Sequence, residues 1–245
     1  MRWPRAVIAI ACCISVLPGA AGAFGLIDTI DSIQADIDAW EEVGTRDFST
    51  IEQRLQALDS AIFSDVALSD WFSPYVSVLS EWRIVSGYRD ASGELTGEYR
   101  PGNPVTLGET LKMAMGAARI DTRVCGARTG TGAEHWAAGY ARCAASMRMR
   151  VDVADLEAPA LRWQVITILH DAFGDRSMPL FSGFIDVRGH PAESDIALAA
   201  LRGIVSGDDG SNVFRPDDEI NRAEVAKILV QRIRLEVRRK ASEVF

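Results

Sequence analysis

The sequence predicts a mainly α-helical protein in which one helix–loop–helix unit is used more than once. Two stretches support this prediction, residues 84–109 and 204–224, because both begin with Ile-Val-Ser-Gly and both place a proline eight residues before a glutamate. In each stretch an apolar helix end meets the glycine, a polar loop follows, and a new helix starts at a capping residue. Self-similarity of this kind is typical of repeat architectures, in which the repeat sets the fold.

Residues 1–23 have the pattern of a secretory signal peptide. Arg2 and Arg5 precede an apolar run at residues 6–17, and a small-residue cleavage site follows at residues 21–23. The apolar run is too short to span a bilayer, and no later run reaches membrane-spanning length. We therefore expect a mature protein without a transmembrane segment, secreted or held in the cell envelope or at the cell surface.

Residues 24–58 are predicted to form a helical hairpin or a linker. Two short apolar stripes with spacings of three and four define it, and each is too short for a free coiled coil. The hairpin is expected to pack on itself or on the repeats, and the alternative of an oligomerisation segment leaves self-association open. The stripes comprise Leu26, Ile30, Ile33, Ile37 and Trp40, and then Phe48, Ile51, Leu55, Leu58 and Ile62.

The first copy of the unit is predicted to span residues 59–121 and to contain two helices. Asp70 is expected to cap the first helix, and Gly87 is expected to end that helix region in a left-handed conformation. Thr106 with Glu109 predicts a capping box for the second helix, because each side chain can satisfy the other residue's backbone N–H. The apolar stripe of the first helix comprises Trp71, Tyr75, Val78, Leu79 and Trp82.

The middle copy, residues 122–176, is predicted to be degenerate. Asp152 stands where the first copy has Gly87, and the second helix starts at residues 160–164 without a polar cap. Its first helix repeats the offsets of the first copy from a tryptophan, with Trp136, Tyr140, Cys143, Ala144 and Met147.

The third copy is predicted to span residues 177–235 and to contain the best-formed second helix. Asn221 and Glu224 are expected to cap that helix. Residues 236–245 form a basic tail, which suits the C-terminal end of a helix.

The chain is acidic, with 26 basic and 34 acidic residues and a formal charge of -8. Without Arg2 and Arg5, 24 basic residues remain against 34 acidic ones, which gives -10. This balance argues against nucleic acid as a general partner. After cleavage at Ala23, Cys125 and Cys143 remain, and the sequence fits either a disulfide or a small buried thiol at Cys143.

The first and third copies resemble S-layer homology repeats. The resemblance covers about 170 of the 245 residues and is weak in the middle copy. It implies three repeats in a pseudo-threefold, mostly helical module. It also implies a non-catalytic envelope anchor that binds cell-wall polysaccharide or peptidoglycan-linked glycan, often acidic and pyruvylated, in grooves between repeats. The matching residues are Phe63, Asp65, Val66, Gly87, Pro101, Thr106 and Glu109 in the first copy, and Phe184, Asp186, Val187, Gly203, Ile204, Gly207, Phe214, Pro216, Asn221, Arg222, Ala223 and Glu224 in the third.

Two arginines at helix starts are the main candidates for contacts with an acidic glycan. Arg222 follows the cap of its helix and Arg162 takes the same place in the middle copy, although a cation there opposes the helix dipole by about 0.3–1 kcal/mol. An anion that met the guanidinium and the free N–H groups of the helix end would compensate this cost. The alternative is a salt bridge to a nearby carboxylate, which could be Asp218, Glu219 or Glu157.

Arg222 and Gly207 are expected to lie in one site, because a glycine would let a sugar approach the backbone. Leu107 replaces the arginine in the first copy, so the first groove is expected to hold an anion poorly until an arginine is restored there. The carboxylate of Asp152 is expected to repel an acidic ligand in the middle copy. The expected ligand-binding residues are Arg222, Arg162, Gly207, Gly87, Asn221, Glu224 and Glu109.

The sequence gives no positive signal for an enzyme, a metal or a cofactor. Its histidines lack metal-ligand spacing, and neither a nucleophile elbow nor a phosphate-binding loop occurs. Asp65 and Asp186 are expected to cap or bridge repeats, and residues 208–212 are expected to form a solvated turn. Two alternative functions stay open: a structural or adaptor protein that acts through its N-terminal helices, and a hydrolase with a dispersed acid/base pair.

Overall fold

Helices and the loops between them make up the computed structural model, which describes residues 62–126, 134–207 and 211–242. No strand occurs in these residues, in agreement with the predicted mainly α-helical class. The predicted leader and the N-terminal hairpin lie outside them. The helices are α1 (Ser73–Glu81), α2 (Leu107–Ala117), α3 (Thr122–Cys125), α4 (Ala138–Ser146), α5 (Arg162–Ala172), α6 (Glu193–Leu201) and α7 (Arg222–Ser242).

A nine-residue helix is followed by a longer one at three places in the chain. We call these the first pair (α1 and α2), the middle pair (α4 and α5) and the third pair (α6 and α7). Residues 236–242 of the predicted basic tail belong to α7, which has 21 residues, whereas α2 and α5 have 11 each.

Three short segments, one before each long helix, are joined in a closed ring of backbone hydrogen bonds. The N–H of Val105 donates to the carbonyl of Ile220 at 3.0 Å, and the N–H of Ile220 donates to Ala160 at 3.2 Å. The ring closes where the N–H of Ala160 donates to Val105 at 2.7 Å. All three residues are fully buried. Since each segment donates to one neighbour and accepts from the other, none leaves a buried N–H without a partner.

The first turn of each long helix is bonded to a loop of another pair. Leu107 donates its N–H to Ala158 of the middle pair, Arg162 to Asp218 of the third pair, and Arg222 to Asn103 of the first pair. These bonds satisfy N–H groups that have no partner within their own helix. They also define which loop positions are equivalent among the three pairs.

The predicted capping boxes are present on α2 and α7. Thr106 Oγ1 accepts from the N–H of Glu109, and the Glu109 carboxylate accepts from Thr106 in return. Asn221 and Glu224 exchange the same two bonds. On α5 only Gln164 contributes, through Oε1 to the N–H of Leu161, which confirms the expected loss of the polar cap.

Two tryptophans that the sequence places at the start of buried stripes are in fact exposed. Trp71 is 55% exposed and Trp136 is 52% exposed, and both precede the helices that they were expected to line. The helices bury later residues of the stripes instead, such as Val78 and Leu79 on α1 and Cys143 and Ala144 on α4. The expected stripe is therefore wrong at its first position.

The predicted ends of the first helix also differ from the structure. The N-cap of α1 is Phe72, whose side chain makes no capping bond, and the Asp70 carboxylate accepts from the N–H of Ala67. Glu81 ends α1, so Gly87 does not terminate it. A left-handed residue lies two positions after each short helix, and is Arg83 in the first pair, Arg148 in the middle pair and Gly203 in the third. Gly87 has the predicted left-handed conformation, with φ of 73°, but it lies beyond the helix end.

A disulfide joins Cys125 of α3 to Cys143 of α4 and decides between the two alternatives that the sequence left open. The bond closes a loop across a sequence separation of 18 residues. The Arg142 guanidinium, next to Cys143, donates to the carbonyl of Gly126 at 2.7 Å and so joins the same two helices a second time.

We expect the double variant Cys125→Ser/Cys143→Ser to lose about 3 kcal/mol of stability, because the unfolded chain regains the entropy of an open loop. The melting temperature should fall by roughly 6–12 °C in a domain of this size. The reducing agent dithiothreitol should lower the melting temperature of the unmodified protein by a similar amount and leave the serine variant unchanged. Equal melting of both proteins without dithiothreitol would show that the bond does not stabilise the fold.

Candidate functional site

Two grooves each combine residues from different helix pairs. The first groove, about 490 Å³, lies between the loop after α1 and the start of α2. It is lined by Ile84, Val85, Ser86, Gly87, Tyr88, Arg89, Pro104, Thr106, Glu109, Lys112, Met113, Trp136, Glu157 and Arg222.

The second groove, about 830 Å³, lies between the loop after α6 and the start of α7. It contains the same kinds of residue at equivalent positions, including a glycine loop, a glutamate, a lysine, an arginine and a tryptophan. It is lined by Trp71, Arg162, Phe184, Ile204, Val205, Ser206, Gly207, Ser211, Asn212, Glu224, Lys227 and Ile228.

Arg222 lies deep in the wall of the first groove and is only 5% exposed. Its Nη1 donates to Glu109 Oε1 at 2.8 Å and its Nε donates to the carbonyl of Tyr99 at 2.9 Å. The guanidinium also lies 4.6 Å from the ring centroid of Tyr88 and 4.7 Å from that of Tyr99. A buried arginine with a carboxylate, a carbonyl and two rings around it joins the third pair to the first.

Arg162 makes the equivalent contacts in the second groove. Its Nη1 donates to Glu224 Oε1 at 2.7 Å, its Nε donates to the carbonyl of Phe214 at 2.8 Å, and its guanidinium lies 4.9 Å from the Phe214 ring. The salt bridges therefore differ from the predicted alternative. The carboxylates belong to another helix pair, and neither arginine is paired with Asp218, Glu219 or Glu157.

The structure also changes which predicted residues share a groove. Arg222 lies with Gly87 and Arg162 lies with Gly207, so the expected grouping of Arg222 with Gly207 is wrong. Asn221 caps its helix and lines neither groove. The glycine loop and the arginine of the third pair therefore line different grooves: Gly207 lines the second and Arg222 lines the first. Spacing along the sequence does not reveal this separation.

The backbone N–H groups of the first three residues of α2 and of α7 are not available to an anion. The first two helical residues of α7, Arg222 and Ala223, donate to Asn103 and Pro101. The next N–H, that of Glu224, donates to the Asn221 side chain. The expectation that an anion would bind the N–H groups beside Arg222 is therefore wrong, and cationic side chains are the groups left to attract an anion there.

Lysines supply that charge, although they were not among the binding residues expected from the sequence. Lys112 and Lys227 each lie three residues after the groove glutamate, a shared offset that could have identified them. Burial, followed by the nearby Arg222 charge, lowers the pKa of Lys112. The ammonium of Lys227 lies 5.8 Å from the ring centroid of Trp71, within reach of a cation–π contact.

The two groove glycines are required by their own loops. A Cβ on Gly87, which has φ of 73°, would lie 2.8 Å from the carbonyl oxygen of Glu98. A Cβ on Gly207 would lie 2.1 Å from the carbonyl oxygen of Ser211. Close packing within each loop therefore explains these glycines without a ligand.

Two segments of the chain match the S-layer homology domain. The matched residues are 62–111 and 183–226, which contain the first and the third predicted copies in large part. S-layer homology domains are non-catalytic modules that bind cell-wall polymers and generally anchor proteins to the cell wall, so the match implies association with the cell surface. A comparison with curated proteins finds no match.

The middle pair lies between the two S-layer homology segments, and its junction differs from both grooves. The backbone hydrogen bonds at the starts of the three long helices show which positions are equivalent. At this junction Leu107 stands where the two grooves have arginine, and Gln164 stands where they have glutamate. Thr167, at the place of Lys112, bonds to Asp195 instead. The arginine and the glutamate that form a salt bridge in each groove are thus both replaced by neutral residues at this junction.

A buried polar network occupies the boundary between the middle and third pairs. Arg150 donates to Asp171 at 2.8 Å and to Asp195 at 2.8 Å, and His170 contacts Asp195 at 3.3 Å. Burial by itself would raise the pKa of Asp195, but hydrogen bonds from His170 and Arg150 lower it to about 2. At this junction carboxylates therefore lie beside Thr167, at the place where the first and second grooves carry lysine.

Asp65 and Asp186 have equivalent structural roles in the two S-layer homology segments. Asp65 accepts from the N–H groups of Tyr99 and Arg100 at 2.7 and 2.6 Å. Asp186 accepts from those of Phe214 and Arg215 in the same way. Each carboxylate therefore fixes the loop that carries an aromatic residue packed against a groove arginine. These bonds cap a loop within one segment, and they do not bridge two repeats.

Chemistry of other kinds has little support in the described part of the chain. No group of three or more histidine, cysteine or acidic side chains there could hold a metal ion. His135 and His190 accept the N–H groups of Ala137 and Ala192 through Nδ1, which explains their equivalent positions before α4 and α6. None of the helices described is long and apolar enough to cross a membrane.

Proposed function

We propose that the chain holds itself to the cell envelope by binding an acidic cell-wall glycan in the first and second grooves, without catalysis. In this proposal residues 59–121, 122–176 and 177–235 are three S-layer homology repeats with pseudo-threefold symmetry, and the middle repeat is degenerate. The closed ring of hydrogen bonds among Val105, Ala160 and Ile220 supports this arrangement, since each segment relates to its neighbours in the same way.

The observation that carries the proposal is the recurrence of one groove composition at two junctions. Each groove has a lysine on the second turn of a long helix, an arginine from another pair and a half-exposed tryptophan. A cation together with an exposed aromatic ring suits a sugar that bears a carboxylate, because the ring packs against the sugar face and the cation binds the acid. The two elements lie on different pairs, so only the folded module presents them together.

The remaining junction, where Leu107 of the first pair meets the middle pair and which we call the third junction, does not support a further site of this kind. Leu107, Gln164 and Thr167 replace the arginine, glutamate and lysine, and the carboxylates of Asp195 and Asp171 lie nearby. We therefore propose two glycan sites in each chain.

Export of the protein is the remaining part of the proposal. The predicted signal peptide at residues 1–23 would direct the chain out of the cytoplasm. The Cys125–Cys143 disulfide supports this, because such bonds persist in oxidising compartments outside the cytoplasm.

We expect Lys112→Ala and Lys227→Ala each to weaken binding at one groove by roughly tenfold or more, the usual value of a charge-assisted contact. Calorimetry with purified wall polysaccharide would measure this, and chemical removal of the acidic groups should abolish the difference between the variants and the unmodified protein.

Arg188→Ala is the matched control, because Arg188 is an exposed cation that lines neither groove. The control variant should bind as tightly as the unmodified protein. If the mature protein does not bind wall polysaccharide, or if both lysine variants bind with unchanged affinity, the grooves are not glycan sites.

A further inference from the structure

The first groove contains a carboxylate, Glu157, at a position that is a glycine in the described part of the second. Glu157 lies between Leu156 and Ala158, whose carbonyls accept from the start of α2. The equivalent acceptors facing α7 are Pro101 and Asn103. Glu157 is therefore equivalent to Gly102, and the second groove has a glycine where the first has an acid.

Glu157 is held at the edge of an exposed aromatic ring. Its Oε1 accepts from Trp136 Nε1 at 3.3 Å and contacts His135 Nε2 at 2.5 Å. Because His135 Nδ1 accepts the N–H of Ala137, Nε2 carries the proton that Oε1 accepts. These bonds fix the carboxylate although its side chain is 63% exposed. Among the described residues no hydrogen bond uses Oε2, so this oxygen remains available to a ligand.

We propose that Glu157 is a specificity-determining residue of the first groove, which accepts hydrogen bonds from hydroxyl groups of the sugar that packs against Trp136. This inference rests on the proposed function. A carboxylate oxygen accepts strongly from hydroxyl groups, and an aromatic face beside it orients the ring that carries them. The first groove then binds its sugar at two ends, through Lys112 and through Glu157. In the second groove Gly102 stands at the position of Glu157, so Lys227 and Trp71 act there without that acceptor.

A consequence is that the two grooves depend differently on the acidic group of the glycan. The first groove retains part of its affinity when that group is removed, because the Glu157 contact does not involve it. The second groove loses most of its affinity. Two cationic grooves would by themselves accept the same sugar, whereas Glu157 makes the first groove select a different one.

The test compares Glu157→Ala with Asp217→Ala, both in a Lys227→Ala background that weakens the second groove. Asp217 is the matched control, since it occupies the equivalent position in the third pair and contacts His190 Nε2 at 3.3 Å, yet lines neither groove. Calorimetry would use purified wall polysaccharide, native and after chemical removal of its acidic groups. Glu157→Ala should weaken binding of both forms by roughly tenfold, and Asp217→Ala should change neither.

Melting temperatures and the Trp136 indole N–H resonance supply the structural controls. Both alanine variants should melt within about 2 °C of the background, since exposed positions contribute little to stability. Native polysaccharide should shift the Trp136 resonance, assigned with Trp136→Phe. Equal affinity of Glu157→Ala and the background, or tighter binding of the native polysaccharide by Glu157→Ala, would overturn the inference and leave the proposed function intact. If the unmodified protein binds neither form, the proposed function fails and the inference fails with it.

Discussion

Replacement of Arg222 by alanine is expected to lower the free energy of unfolding by about 3 kcal/mol. The change removes one partner of a mostly buried ion pair and leaves the Glu109 carboxylate without its cation, which typically costs about 3–5 kcal/mol for a fully buried pair. We take the lower value because the Glu109 side chain is 19% exposed. Thermal or urea unfolding would measure the effect, and the melting temperature should fall by roughly 6–12 °C.

The chain provides its own control for this variant. The third junction has Leu107 and Gln164 in place of the arginine and glutamate, so the double variant Arg222→Leu/Glu109→Gln copies a neutral pair that the protein already uses. We expect the double variant to be more stable than Arg222→Leu alone, because it no longer leaves an unpaired carboxylate. Unchanged stability of Arg222→Ala would show that the ion pair does not hold the pairs together.

The expected loss of stability also changes how binding by this variant is interpreted. Arg222 was predicted from the sequence as a ligand contact, but its Nε and Nη1 donate to Tyr99 and Glu109. A loss of glycan affinity in Arg222→Ala would therefore combine a changed groove shape with any lost contact. Lys112→Ala tests the contact more directly, because Lys112 lines the first groove and is not a partner in the Arg222–Glu109 ion pair.

Introduction of arginine at Leu107 is expected to destabilise the protein by about 3 kcal/mol or more. Leu107 is 4% exposed, and Gln164 offers no negative charge at the equivalent place. A buried cation without a partner is costly, and the longer side chain would also overpack the junction. From the sequence we expected this change to restore a glycan site in the first copy. The structure places Leu107 at the middle-pair junction, so the first groove would not gain it.

The second change Gln164→Glu should recover part of this loss. It would supply the carboxylate that Arg162 and Arg222 have at the other two junctions. Unfolding of Leu107→Arg, Gln164→Glu and the double variant forms a complete cycle, and a coupling energy of about 1–3 kcal/mol in favour of the double variant is expected. A Leu107→Arg variant as stable as the unmodified protein, or a coupling near zero, would show that the three junctions are not equivalent.

The sequence by itself determined the local features of this protein. The capping boxes at Thr106 and Asn221, the missing polar cap of α5, and the loops at Gly87 and Gly207 all depend on residues close together in the chain. The helical class and the resemblance of the first and third copies follow from the same short spacings. Such features are readable because local hydrogen bonding and backbone conformation depend on neighbouring residues.

Only the tertiary structure decided which residues share a groove. Arg222 belongs to the loop of Gly87, and Arg162 to that of Gly207, because each long helix begins against a loop of a different pair. The same exchange brings Trp136 and Trp71 to the grooves as exposed walls rather than to the core. Each unit read alone gives no information about this exchange, since every hydrogen bond of the ring that fixes it joins residues of different units.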